Sequence, residues 1–115
     1  EFGFKKLSFL TSSYIFEDYK NIEIFTWHRD TFKLPSKAKL IAKTSFPQMF
    51  TIKKTIGIQY HPEITEDLFL KWYEGEKTKQ ELEEFNIDKE FKKLKKNEYL
   101  ISASVNKLFD KWIST

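Results

Sequence analysis

Apolar positions follow a period of two in the first half of the chain and a helical period in the second, which predicts strands first and helices last. In the opening "EFGFKKLSFL", Phe2, Phe4, Leu7 and Phe9 suit an extended segment. "TSSYIFEDYKN" sets Ser and Thr caps ahead of a short helix or helical turn that ends before Asn21. In "IEIFTWH", residues 22–28, Ile22, Ile24, Thr26 and His28 share one face and Glu23, Phe25 and Trp27 the other, as in a strand covered on both sides.

"RDTFKLPSKAK" reads as a loop leading into another extended piece, "AKLIAKT". Two further strands, Gln48 to Ile52 and Thr55 to Tyr60, are joined at Lys53 and Lys54, a connection short enough to require a hairpin. Beyond His61 the period changes. Leu68, Phe69, Trp72 and Tyr73 form a helical stripe behind Thr65 as N-cap, with Glu66 and Asp67 in the first turn. From Glu76 onward Pro and Gly are absent and the tail reads as helix, with Ile101, Val105, Leu108, Phe109 and Trp112 expected on one face. The division expected is 1–75 for the body and 76–115 for a helical extension packed on it.

Composition narrows the function classes. The chain has 115 residues, 40% hydrophobic, with 12 Phe, 3 Trp and 5 Tyr, enough apolar material for one small core. No apolar run approaches the length of a membrane span, no signal-peptide pattern stands at the front, and a cytoplasmic location is the expectation. The first residue is Glu1, not Met, so the chain can be part of a longer protein. Cysteine is absent, which excludes disulfides and thiolate metal sites within these residues.

The pI is about 9.0 but the net charge is only +3. Through Glu76 the chain carries 11 basic and 10 acidic residues, and beyond it 9 and 7, so no strongly one-signed region marks a nucleic-acid partner. The lysines of "KEFKKLKKN" read as the solvated face of an amphipathic helix, because neighbouring Glu81, Glu83, Glu84, Asp88 and Glu90 oppose phosphate. His28 and His61 lie too far apart, without cysteine or a carboxylate set, to suggest a metal site, and no cofactor is implied.

The candidate chemistry lies in "GIQYHPEIT", residues 57–65. Proline disfavours the helical region for the residue before it, so His61 ends a strand, and residues two apart in an extended segment project to the same side. His61 and Glu63 can therefore act together: a carboxylate fixes the imidazole tautomer and leaves the other ring nitrogen as general base. The plainer alternative is a polar strand end, with Glu63 facing the positive N-terminus of the next helix.

Three stretches carry a resemblance. "GIQYHPE" resembles the closing motif of the class I glutamine amidotransferases, "EFGF" their E-x-G-aromatic segment, and "TWHRDTFKLP" a segment of the members related to the glutaminase domain of GMP synthase. The three occur in family order and cover residues 1 to about 74. The resemblance implies the C-terminal portion of a flavodoxin-like, three-layer α/β domain, with glutamine as the substrate of the complete domain, hydrolysed by a Cys-His-Glu triad, and ammonia passed to an acceptor.

Carried over by position, His61 would be the general base and acid and Glu63 would orient it, while Trp27, His28 and Asp30 would lie near the substrate pocket. The sequence departs from the family at the nucleophile. The cysteine on its glycine-flanked elbow and the oxyanion hole belong to the half preceding Glu1, and Thr11, Ser12, Ser13, Thr31 and Ser45 sit on no such elbow. This chain is therefore expected to be inactive alone and to require an N-terminal half, a partner chain or self-association to cover an exposed sheet edge. The competing reading is a non-catalytic interaction module built on a truncated amidotransferase fold.

Overall fold

The computed structural model describes residues 1–114 and shows a mixed α/β architecture with strands first and helices last. The first extended segment divides at Leu7. β1 (Phe2–Lys6) pairs antiparallel with β3 (Glu23–Trp27) from Phe2↔Trp27 to Lys6↔Glu23. The chain then changes sheets, and β2 (Ser8–Phe9) pairs with β4 (Lys39–Lys43) at the edge of a four-stranded antiparallel sheet ordered β2-β4-β5-β6. Between them, Tyr14–Tyr19 form a single 3-10 helix, with the Ser13 hydroxyl accepting from the Ile15 amide as its cap.

β5 (Pro47–Ile52) and β6 (Thr55–Ile58) make the expected hairpin, with Lys53 at φ 55° supplying the left-handed residue of the tight turn. β6 ends at Ile58, short of the expected Tyr60, because the chain there begins to leave its partner. The Gln59 amide still donates to the Gln48 carbonyl of β5 at 2.9 Å, but the His61 amide donates to the Phe25 carbonyl of β3, also at 2.9 Å.

β3 is buried on both faces, as its pattern predicts. Ile22 and Ile24 join Leu7, Phe16, Tyr19, Ile41, Met49, Tyr60 and Leu108 in one core. Phe25 joins Phe2, Phe4, Ile64, Phe69, Leu94 and Ile101 in a second, on which Trp27 packs. Phe25 alone meets Phe2, Phe4 and Phe69 at centroid separations of 5.6, 5.2 and 5.8 Å, in tilted or edge-on geometries that ring quadrupoles favour.

α1 (Glu66–Tyr73) starts where the sequence indicates, the Thr65 hydroxyl accepting from the Leu68 amide at 3.1 Å. The tail is two helices, α2 (Glu76–Glu81) and α3 (Ile87–Ile113), separated because the Asn86 side chain caps α3 by accepting from the Lys89 amide. α3, about 40 Å long at 1.5 Å per residue, serves both cores: Leu94 and Ile101 enter one and Leu108 the other. Its buried stripe is Leu94, Ile101, Ser104 and Leu108. Phe109, expected on that face, is 55% exposed, because it lies about 100° around the helix from Leu108.

Gly3 has φ +112°, and a β-carbon there would lie 2.9 Å from the Glu90 side chain, which accepts from the Phe4 amide at 2.7 Å. Gly3→Ala is therefore expected to destabilise the fold by about 1–3 kcal/mol, through backbone strain and displacement of Glu90, measured as a lower denaturation midpoint with unchanged slope. Burial pushes the Tyr19 hydroxyl up to about 12 and raises that of Tyr60 as well, the two rings packing at 5.8 Å. Unfolded tyrosine ionises near pH ~10, so the stability these neutral phenols contribute is complete below pH ~10 and is lost as pH rises through about 12. Chemical denaturation from pH 9 to 11.5 is expected to show the protein losing stability relative to its Tyr19→Phe variant; parallel curves would refute this.

Candidate functional site

The loop from Gln59 to Thr65 passes between the two sheets, and its backbone bonds decide where its side chains go. With the His61 amide held on Phe25, the ring lies against the end of β3 and packs on Trp72 of α1, centroid to centroid 5.3 Å. The extended strand end expected here is not formed: Pro62 and Glu63 lie in a turn, and it is the turn that folds Glu63 back toward the ring. His61 Nδ1 lies 2.7 Å from Glu63 Oε1. The side chains are 34% and 53% exposed, so the pair is open to solvent and to whatever approaches this surface.

The second ring nitrogen is occupied too. His61 Nε2 lies 3.2 Å from the carbonyl oxygen of Trp27. A carboxylate and a carbonyl can only accept, so a ring nitrogen that bonds to either does so as the donor. Trp27 thus takes part through its backbone. Its indole packs edge-on against Phe2 at 5.1 Å and Trp72 at 5.7 Å, which fixes the carbonyl in place.

His28 points elsewhere. On the opposite face of β3 its Nε2 lies 2.9 Å from Glu1 Oε1 and its Nδ1 3.0 Å from the Asp30 carbonyl, with the ring edge-on to Phe46. The same Glu1 oxygen accepts from Gln48 Nε2 at 2.9 Å, and Gln48 also donates to the Thr44 hydroxyl. Glu1 and His28 exchange backbone hydrogen bonds of 2.7 and 2.9 Å, which extends the β1–β3 ladder by one pair. Asp30 enters this network through its carbonyl, as a turn acceptor. A cleft of about 280 Å³ adjoins Trp27 and His28, lined also by Glu1, Arg29, Glu81 and Phe85 but not by His61 or Glu63.

Of the five residues singled out by motif, the fold brings His61, Glu63 and the Trp27 carbonyl together and gathers His28 and Asp30 in a separate cluster. Sequence reasoning gave no role to Trp72, Glu1 or Gln48. The first was legible only as one member of the apolar stripe of α1, and the contacts of the other two are made across strands distant in sequence. Among the described residues no three His, Asp or Glu side chains converge on a metal-sized site, and no helix is long and apolar enough to cross a membrane.

No protein-family model matches the chain, and no curated protein matches it. Among solved structures it is similar to a crystal structure of a glutamine amidotransferase from Thermotoga maritima, with a TM-score of 0.83 and 21% sequence identity. The superposition takes in 100% of this chain and 51% of that one, so the chain spans about half the length of its structural neighbour. The strand, hairpin and helix arrangement that positions His61 is accordingly the fold of half of a glutamine amidotransferase.

Proposed function

We propose that this chain is the later half of a class I glutamine amidotransferase domain, which hydrolyses glutamine and passes ammonia to an acceptor once a nucleophile-bearing half is in place. The observation that carries the reading is the 2.7 Å contact between His61 and Glu63 at a solvent-open strand end, in a chain with no cysteine.

The contacts support the following chemistry. Glu63 accepts from Nδ1–H of His61, which fixes the ring and leaves Nε2 to exchange a proton with a thiol. A cysteine delivered to Nε2 would give up its proton to it, and the resulting imidazolium favours the thiolate, the form that attacks carbon. In this chain the atom nearest Nε2 across that gap is the Trp27 carbonyl oxygen, at 3.2 Å.

Attack of the thiolate on the glutamine amide carbon forms the S–C bond and places negative charge on the amide oxygen. Collapse breaks the C–N bond as Nε2–H protonates the departing nitrogen, so ammonia leaves and a thioester remains. Nε2 then takes a proton from water, whose oxygen attacks the thioester, and returns it to sulfur as glutamate leaves. The oxyanion donors, like the cysteine, come from the other half. On this reading the reaction runs in the cytoplasm, a compartment that keeps thiols reduced.

Lack of a nucleophile also favours a second reading, in which the chain is a non-catalytic interaction module that keeps the fold. The two separate on one experiment. Ammonia release from glutamine is measured for the purified chain and for the native assembly recovered from its source cells through a tag on this chain. The chain alone is expected to be inactive. The assembly is expected to turn over, with kcat lowered by about 10²–10⁴-fold on His61→Ala or Glu63→Gln. An inactive native assembly, or activity indifferent to both substitutions, would give the module reading the lead.

A further inference from the structure

The turn at Lys53 and Lys54 lies at the opposite end of β6 from His61. Directly paired residues of neighbouring strands share a face of the sheet. Lys39 pairs with Thr51 and Thr51 with Ile56, so the three form a row across β4, β5 and β6 beside that turn. Over the row, the chain from Thr11 to Phe16 on one side and Trp112 of α3 on the other border a cleft of about 450 Å³.

The floor of the cleft is apolar, made by Ile15, Phe16, Ile41 and Ile56, and its rim carries the exposed ammonium groups of Lys39, Lys53 and Lys54. Among the described residues no carboxylate lines the cleft, and none of the three lysines is in an ion pair. The Ser12 hydroxyl accepts from Lys20 Nζ at 3.2 Å and the Ser13 hydroxyl from the Ile15 amide at 3.4 Å, so both keep their own hydrogen to donate. The lysine stripe of α3 differs: there Lys93 pairs with Glu23 at 3.2 Å, and Asp88 lies beside Lys89 and Lys92. Like charges gathered without a counter-ion repel one another, and the three at the hairpin have none.

Lys53 adds an independent sign. Its φ of 55° lies in the left-handed region, which Gly and Asn adopt at lower cost than Lys. A residue held against its local preference points to a role for its side chain. The Trp112 indole donates to the Lys54 carbonyl at 2.6 Å and so pins the turn against the end of α3.

We propose that this cleft binds a small organic phosphate, its dianionic group held by Lys39, Lys53, Lys54 and the two serine hydroxyls, and its apolar body resting on Ile41 and Ile56. Ammonium groups and hydroxyl donors suit the several oxygens of a phosphate, the charged contacts being the stronger ones. The volume falls within the range of roughly 300–1,000 Å³ typical of small-molecule sites. The apolar floor selects an ester over the bare ion. None of these residues touches His61 or Glu63, so the site stands whether or not the amidotransferase reading does.

The test titrates phenyl phosphate, which joins a dianion to a planar apolar body, into the isotope-labelled chain at physiological ionic strength, followed by two-dimensional NMR. Saturable shifts of the Ser12, Ser13, Lys53 and Lys54 amides and of the Trp112 indole N–H are expected, with a Kd on the order of 1 mM or lower. Inorganic phosphate is expected to bind at least threefold more weakly, and phenol, which has the body without the charge, not to saturate. Lys39→Gln and Lys53→Asn are each expected to weaken binding about threefold, and together about tenfold. Asn suits the left-handed turn, so Lys53→Asn is expected not to lower the unfolding midpoint. Lys92→Gln on α3 is expected to leave the affinity unchanged. Shifts that do not saturate, that move equally at the α3 lysines, or that survive the double substitution overturn the proposal. Inorganic phosphate binding as tightly as phenyl phosphate also overturns it, leaving an adventitious ion only.

Discussion

The hydrogen bond from the His61 amide to the Phe25 carbonyl joins the two sheets beside the His61–Glu63 pair. β3 can accept it because it is held from both faces, Ile24 in one core and Phe25 in the other, each almost wholly removed from water. A strand packed on both sides has little freedom to shift, so its carbonyls at Phe25 and Trp27 are fixed references for the loop that crosses it. His61 is positioned by backbone to backbone contact, and its ring by Glu63, Trp72 and the Trp27 carbonyl.

The far face of the same strand carries a buried polar network. Glu1 accepts from His28 and Gln48, and Gln48, fully buried, divides its amide protons between Glu1 and Thr44. Removing a member of such a network leaves a buried donor or acceptor unmet, which costs about 1–3 kcal/mol. Its place here is to lock the β1–β3 ladder at Glu1 and His28, one residue from the carbonyl that holds His61. The two histidines thus differ in setting: His28 anchors the strand, and His61 is held at its end with its side chain 34% exposed.

α3 ties the halves of the molecule together. Near its start Glu90 satisfies the Phe4 amide on the outer edge of β1, so that edge is protected from pairing. Near its end Lys111 pairs with Asp18 at 2.8 Å and the Trp112 indole donates to the Lys54 carbonyl of the hairpin. One sheet edge is thereby closed by a carboxylate, while the β6 edge is left with an apolar groove beside it.

The sequence by itself determined the elements and the pair. Period-two alternation gave β3 and its two faces, and Thr65 with its acidic neighbours gave the start of α1; the two-residue spacing of His61 and Glu63 pointed to their contact, which a turn at Pro62 and Glu63 makes in place of the extended strand end expected. These are local consequences of backbone sterics and capping, which act within a few residues. Tertiary structure decided what depends on distant partners: that His28 turns to Glu1 and away from His61, that the Trp27 carbonyl meets His61 Nε2, and that Phe109 stays exposed while Ser104 is buried. No short-range pattern encodes those contacts, because each is set by which strand or helix arrives from elsewhere in the chain to fill the space.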